Sequence, residues 1–268
     1  GYALVRSADA LGIGIGTLIG TVAATLGVLR TVYSVEAVCM GAVLVLISLV
    51  PLQDGPPYRN LSSNRPESVG QRPRPTIRLP WLLPLLPVLL ISVVATGILA
   101  LQQSALPLDL VRGGLFRPAL SESHSSALIS LQLTLLVSLQ WPVGRWLAER
   151  SVAFGLGLSL AGFSLGCALI ALSSLFENGT ILVLAALLPI AFAQAAFLPT
   201  ATEAVIEETP PEHRGLAMAL FSQCFAISAI VAPLAGGALL DLQNNGLLLW
   251  LLMGCLLYTS DAADEWLR

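Results

Sequence analysis

Of the 268 residues, 56% are hydrophobic and 11% charged, the mean hydropathy is +0.82 and the formal net charge is -3. Soluble domains carry about 25% charged residues, so a soluble core cannot hide this much apolar surface, and the chain reads as an all-α polytopic membrane protein. All basic residues are arginines and form no basic field, which excludes nucleic acid as a partner; without lysine the phosphate-binding Gly-x-x-x-x-Gly-Lys loop of an ATP-driven pump is also excluded, unless a separate subunit carries it.

A bilayer core about 30 Å thick is crossed by about 20 apolar residues in a helix. Runs of that size cover approximately 2–29, 32–52, 79–106, 125–143, 152–176, 181–201, 216–240 and 246 onward, about eight spans with the last cut short. They are too long for barrel strands and lack the alternation of such strands.

The first span opens with Arg6 and Asp9, three residues apart on one helix face and able to pair. Inside the membrane such a pair marks a pathway, with Arg6 suited to an anionic or polar solute and Asp9 to a proton. If the helix begins later, both sit at the interface and snorkel. Gly12, Gly16 and Gly20 recur every fourth residue and form a smooth face for close packing. No strand precedes Gly12-Ile13-Gly14, so it is not a dinucleotide loop. Glu36 lies near the outer end of the second span and is read as interfacial.

Residues 53–78 form the longest polar connection, with Arg59, Arg65, Arg72, Arg74 and Arg78 against only Asp54 and Glu67. The positive-inside rule places it in the cytoplasm, and its five prolines predict an extended or disordered linker. Counting outward, Arg145, Arg150 and Arg214 fall on the linker side, whereas Arg30, Arg112 and Arg117 fall on the other.

Polar side chains within the later spans are the main guide to a transport path. Gln102 and Gln103 lie on the third run, Gln132 and Gln140 on the fourth, Gln194 on the sixth and Gln223 on the seventh; the fifth has none. Each glutamine alone is more often an interhelical hydrogen bond than a substrate ligand; the set of them is the guide. Cys39, Cys167 and Cys224 stand singly without CxxC spacing, so neither disulfide nor metal site is expected. His124 and His213 sit at span or loop boundaries and need no catalytic role. Laying residues 1–21 over 217–237 sets Gly20 on Gly236 and places Arg6 and Asp9 opposite Ser222 and Phe225, about 12 Å into the helix. Ala229, Pro233 and Gly237 then form a second smooth face, and Pro233 removes a backbone hydrogen bond within the span.

Glu203 and the run Glu207 to Gly215 resemble the cytoplasmic loop between the tenth and eleventh helices of major facilitator superfamily transporters. Ala232 to Gly237 is similar to that family's eleventh-helix Gly-Pro-x-x-Gly-Gly, with alanine for the first glycine. Gly144 to Arg150 resembles its gating-loop motif between helices eight and nine, with Glu149 for the usual aspartate and Trp146 for the usual leucine. The resemblance covers residues 1–254 as helix five through part of helix twelve and implies that the first four helices are absent from the chain. Residues 1–52 would then end the N-terminal bundle and 79–254 form the C-terminal six-helix bundle.

What the resemblance implies is a secondary active transporter that moves a small solute by alternating access, with protons as the candidate coupling ion, the lipid bilayer as surroundings and the plasma membrane of a bacterial cell as location. The implied pathway comprises Arg6, Asp9, Gln102, Gln103, Gln132, Gln194 and Gln223. The implied gate comprises Gly144, Arg145, Glu149 and Arg150, whose charges can bond neighbouring helix ends or simply set topology. Pro233, Gly236 and Gly237 form the implied kink. No cofactor and no covalent chemistry is expected; a membrane-embedded enzyme or assembly factor is the alternative, and would need convergent His, Asp or Glu at one depth.

Both ends read as artificial. Gly1 is no initiator methionine and enters a helix directly, so the chain is expected to begin inside a longer protein. Cys255 to Glu265 reads as a translated sequencing-library transposon adapter, which sets residues 255–268 apart from the native sequence.

Overall fold

The computed structural model describes residues 29–49 and 81–266, together with Gly12 and Gly16. Arg6, Asp9 and the linker 53–78 lie outside the described residues. The chain divides into two compact units, residues 18–78 in one and residues 1–17 with 79–268 in the other.

In the smaller unit, α1 (Leu29–Leu49) falls where the span 32–52 is expected, and among the described residues its apolar stretch is Tyr33–Leu46. Glu36 is exposed on it.

The larger unit holds α2 (Leu82–Arg112), α3 (Glu122–Leu147), α4 (Val152–Ser173), α5 (Gly179–Glu207), a 3₁₀ turn (Pro211–His213), α6 (Arg214–Gln243) and α7 (Leu247–Trp266). Among the described residues, five helices are long and apolar enough to cross a membrane: α2, α3, α4, α5, and the turn with α6; α7 has a shorter apolar stretch, Leu247–Leu257. Helix is the form such runs must take, because lipid offers no partner to a backbone N–H or C=O. Ser121 and Ser151 cap α3 and α4 by accepting from the N–H groups of His124 (3.4 Å) and Phe154 (3.3 Å). At the end of α6, Asn244 adopts the left-handed conformation, φ 55°, and its N–H returns to the Leu240 carbonyl.

Most helices outrun their hydropathic cores. The third run was expected to end at residue 106, yet α2 continues through Pro107 to Arg112. Proline forfeits one backbone bond, and the extra turn is held by contacts of Asp109, Arg112 and Gly113 described below.

Helix α4 packs along α5 and α7, α2 along α6, and α3 along α5. Gly155, Gly162 and Gly166 bring α4 close to α5: a Cβ at Gly155 would lie 2.7 Å from Thr200, and one at Gly162 would lie 3.0 Å from Ala193. Between α2 and α6 the Thr96 and Ser228 hydroxyls meet at 2.8 Å, and Ser228 donates to the Val93 carbonyl. The packed stripe of α6 is thus Phe221, Cys224, Ser228, Gly236 and Leu240. The expected smooth face of Ala229, Pro233 and Gly237 is one residue out of register with it: Ala229 is exposed and a Cβ on Gly237 would meet nothing within 4 Å. Polar Ser228 and bulky Leu101 select this register, the first by bonding to α2 and the second by seating on Gly236.

The helices alternate in direction, so one end of the body gathers Trp81, the α3–α4 loop and the α5–α6 turn, where the Trp81 and His213 rings stack 4.9 Å apart. This is the linker end. The far end gathers the loops 113–121, 174–178 and 244–246.

Candidate functional site

Three glutamines meet inside the body. Gln102 on α2 and Gln132 on α3 each stand ten residues from the far end of their helix, about 15 Å, and Gln194 on α5 stands fifteen residues from it, about 22 Å. All three are buried. The Gln102 Oε1 accepts from Gln132 Nε2 at 2.5 Å and from Gln194 Nε2, joining three helices at one neutral node. The Gln102 Nε2 is buried and has no partner among the described residues, a donor left open in an apolar body. Gln103 and Gln223 are exposed and take no part in the node. Two turns nearer the linker end on α3, half-buried Gln140 also has an unpartnered Oε1.

Gln140 lines a cavity of about 550 Å³ between α3, α4 and α5, together with Gly144, Arg150, Thr200 and Glu203. The expected bonds from the α3–α4 loop to helix ends are not formed among the described residues. Arg145 lies over the Trp141 ring at 5.7 Å, and Arg150 lies over Trp146 at 5.7 Å and Phe154 at 5.8 Å. The tryptophans sit four residues earlier, one turn back, so each guanidinium finds an aromatic face before it reaches a carboxylate. Glu149 is exposed.

A buried ion pair occupies the far end, where Arg117 reads from the sequence only as a topological charge on the outer side. The Arg117 and Asp109 side chains are both 0% exposed and 3.2 Å apart. The Asp109 carboxylate also accepts from the Gly246 N–H (2.9 Å) and Trp250 Nε1 (3.1 Å), while Arg117 donates to Ser173 Oγ (2.5 Å) and to the Asp109 carbonyl (3.0 Å). One pair thereby fastens α2, the α2–α3 loop, α4 and α7. Beside it Arg112 pairs with Asp241 of α6 at 2.7 Å, partly exposed. The loop obeys the same knot: Gly113 has φ +87°, and a Cβ on Gly114 would lie 2.6 Å from the Ser174 Cα. The signal available in the sequence was an aspartate inside an apolar run with an arginine eight residues later.

Gly246 has no room for a side chain, since a Cβ would lie 2.5 Å from the Asp109 carboxyl carbon. Gly246→Ala is expected to lower stability by about 1–3 kcal/mol. A thermal melt in detergent checks this, and a melting temperature equal to that of the parent would refute the packing described. Among the described residues no group of three His, Cys, Asp or Glu could hold a metal ion.

The family model described as Major Facilitator Superfamily matches residues 88–260, from early α2 into α7. No curated protein and no solved structure matches the chain.

Proposed function

The chain belongs to the major facilitator superfamily and is an integral membrane transporter, and we propose on that premise that it moves a small solute by alternating access, driven by an ion gradient with protons as the coupling ion. The observation that carries this reading is the neutral node of Gln102, Gln132 and Gln194, in which three helices converge around an amide donor with no partner among the described residues. Such a node recognises a polar solute through hydrogen bonds and can exchange its internal bonds for bonds to the cargo. Gln103 and Gln223, exposed on α2 and α6, extend the path, and Arg6 with Asp9 supply its charged part. Arg145, Glu149 and Arg150 in the α3–α4 loop, with Gly144, act as gate, and Pro233 with Gly236 and Gly237 lets α6 bend.

An enzymatic reading would need acid, base or nucleophile groups free to react. The buried carboxylate at the far end, Asp109, is instead occupied by three donors, which favours transport without covalent chemistry.

The test is uptake into proteoliposomes that contain the intact protein. Imposed proton gradients should drive accumulation of a cognate solute against its own gradient, and an ionophore should abolish it. Solute movement that is indifferent to every imposed ion gradient would refute coupling. Topology is tested separately by cysteine labelling at Ser62 in intact cells. The linker is proposed to be cytoplasmic, so an impermeant reagent should label this site only after permeabilisation; rapid labelling from outside would reverse the orientation.

A further inference from the structure

The cavity between α3, α4 and α5 is separate from the glutamine node, because none of Gln102, Gln132 and Gln194 lines it. Gln140 stands seven residues before the end of α3, about 10 Å inside the body. Its Oε1 is buried without a partner among the described residues, an unfavourable state for an acceptor that a donor would relieve. Apolar walls follow, formed by Leu147, Val152 and Pro199. Nearest the linker end the lining carries opposite charges, Arg150 and Glu203, both exposed, with Arg150 steadied over two aromatic rings. Among the described residues no ion pair neutralises Glu203.

A simple anion entering here gains Arg150 and meets Glu203, and a simple cation meets the reverse. A zwitterion satisfies both. The apolar walls then select an apolar body, and the Gln140 carbonyl selects a hydrogen-bond donor at its far tip. We propose that this cavity binds a small zwitterion of the α-amino-acid type whose apolar side chain ends in a donor. Its carboxylate pairs with Arg150, its ammonium pairs with Glu203, and its side chain runs inward to Gln140, whose amide turns so that its covered Oε1 accepts from the donor. A volume of about 550 Å³ falls within the range of small-molecule sites, roughly 300–1,000 Å³. Binding here does not depend on the transport reading and is measured without translocation.

The probe is radiolabelled L-tryptophan, titrated at equilibrium against the intact protein in nanodiscs. Saturable binding is expected. L-Phenylalanine, which keeps the zwitterion and loses the donor, should bind about 3- to 10-fold more weakly, the worth of one hydrogen bond. Indole, which keeps the donor and loses both charges, should bind at least ~10-fold more weakly. These comparisons use the unaltered protein, so they do not depend on a variant folding. Glu203→Gln and Arg150→Gln should each weaken tryptophan ~10-fold, and Gln140→Met should erase the preference for tryptophan over phenylalanine while leaving phenylalanine affinity in place. Absence of saturable binding by both amino acids, equal affinity for indole and tryptophan, or a tryptophan preference that survives in a folded Gln140→Met protein would overturn the assignment.

Discussion

Replacing Asp109 with alanine is expected to destabilise the protein by about 3–5 kcal/mol, because it leaves the Arg117 guanidinium buried without its countercharge. The loss falls on several elements together. The Gly246 N–H and Trp250 Nε1 lose their acceptor, so α7 is released from α2, and Arg117 keeps only its bonds to Ser173 and the Asp109 carbonyl. The double replacement Asp109→Leu with Arg117→Met should recover much of that loss, since apolar side chains of similar volume often match or exceed a buried ion pair. The check is a thermal melt of all three proteins in one detergent. A melting temperature of Asp109→Ala within error of the parent, or a double variant no better than the single one, would show that the pair does not bind these helices together. Arg112 and Asp241 provide the internal contrast. They are partly exposed, so Arg112→Ala should cost at most about 1 kcal/mol.

Asp9→Asn is expected to abolish gradient-driven accumulation while leaving solute exchange in place. This hypothesis is motivated by the spacing of Arg6 and Asp9 on one helix face and by their alignment with Ser222 and Phe225, well inside α6. A carboxylate's proton affinity differs between a dry and a hydrated surrounding, and a neighbouring arginine alters it again, so a site that alternately closes and wets can take up a proton on one side and release it on the other. Asparagine keeps the size and removes the titration. Arg6→Ala should impair accumulation and exchange together, because on this hypothesis it removes a cation that meets the solute and a partner for Asp9. Proteoliposomes of the intact protein under an imposed proton gradient decide between these outcomes. Uphill transport at the parental level in Asp9→Asn would exclude Asp9 as an essential proton carrier and return the pair to the membrane interface.

Hydropathy was sufficient to locate the helices of the larger unit, though not their ends, since α2 runs on through Pro107. A membrane-spanning segment must satisfy its own backbone, so long apolar runs leave helix as the available form, and the sequence alone put Gln102, Gln132 and Gln194 on three different spans. The order and spacing of the α3–α4 loop, the α5–α6 turn and the α6 glycines pointed to the superfamily that the match over residues 88–260 establishes.

The tertiary structure decided which side chains meet. Gln102 and Gln194 are 92 residues apart in the chain and bond only because α2 and α5 converge, and Asp109 reaches Gly246 and Trp250 across 137 and 141 residues. The stripe of α6 that packs was settled by Ser228 and Gly236 against α2, a choice that glycine spacing alone left one residue away. Arg117 reads from sequence as one more outer charge, yet it is buried, because a carboxylate, a carbonyl and a hydroxyl stand ready where the helix ends meet. Periodicity reports what a segment does with its own backbone and its apolar surface, whereas a polar side chain's partner depends on the positions of all the other helices.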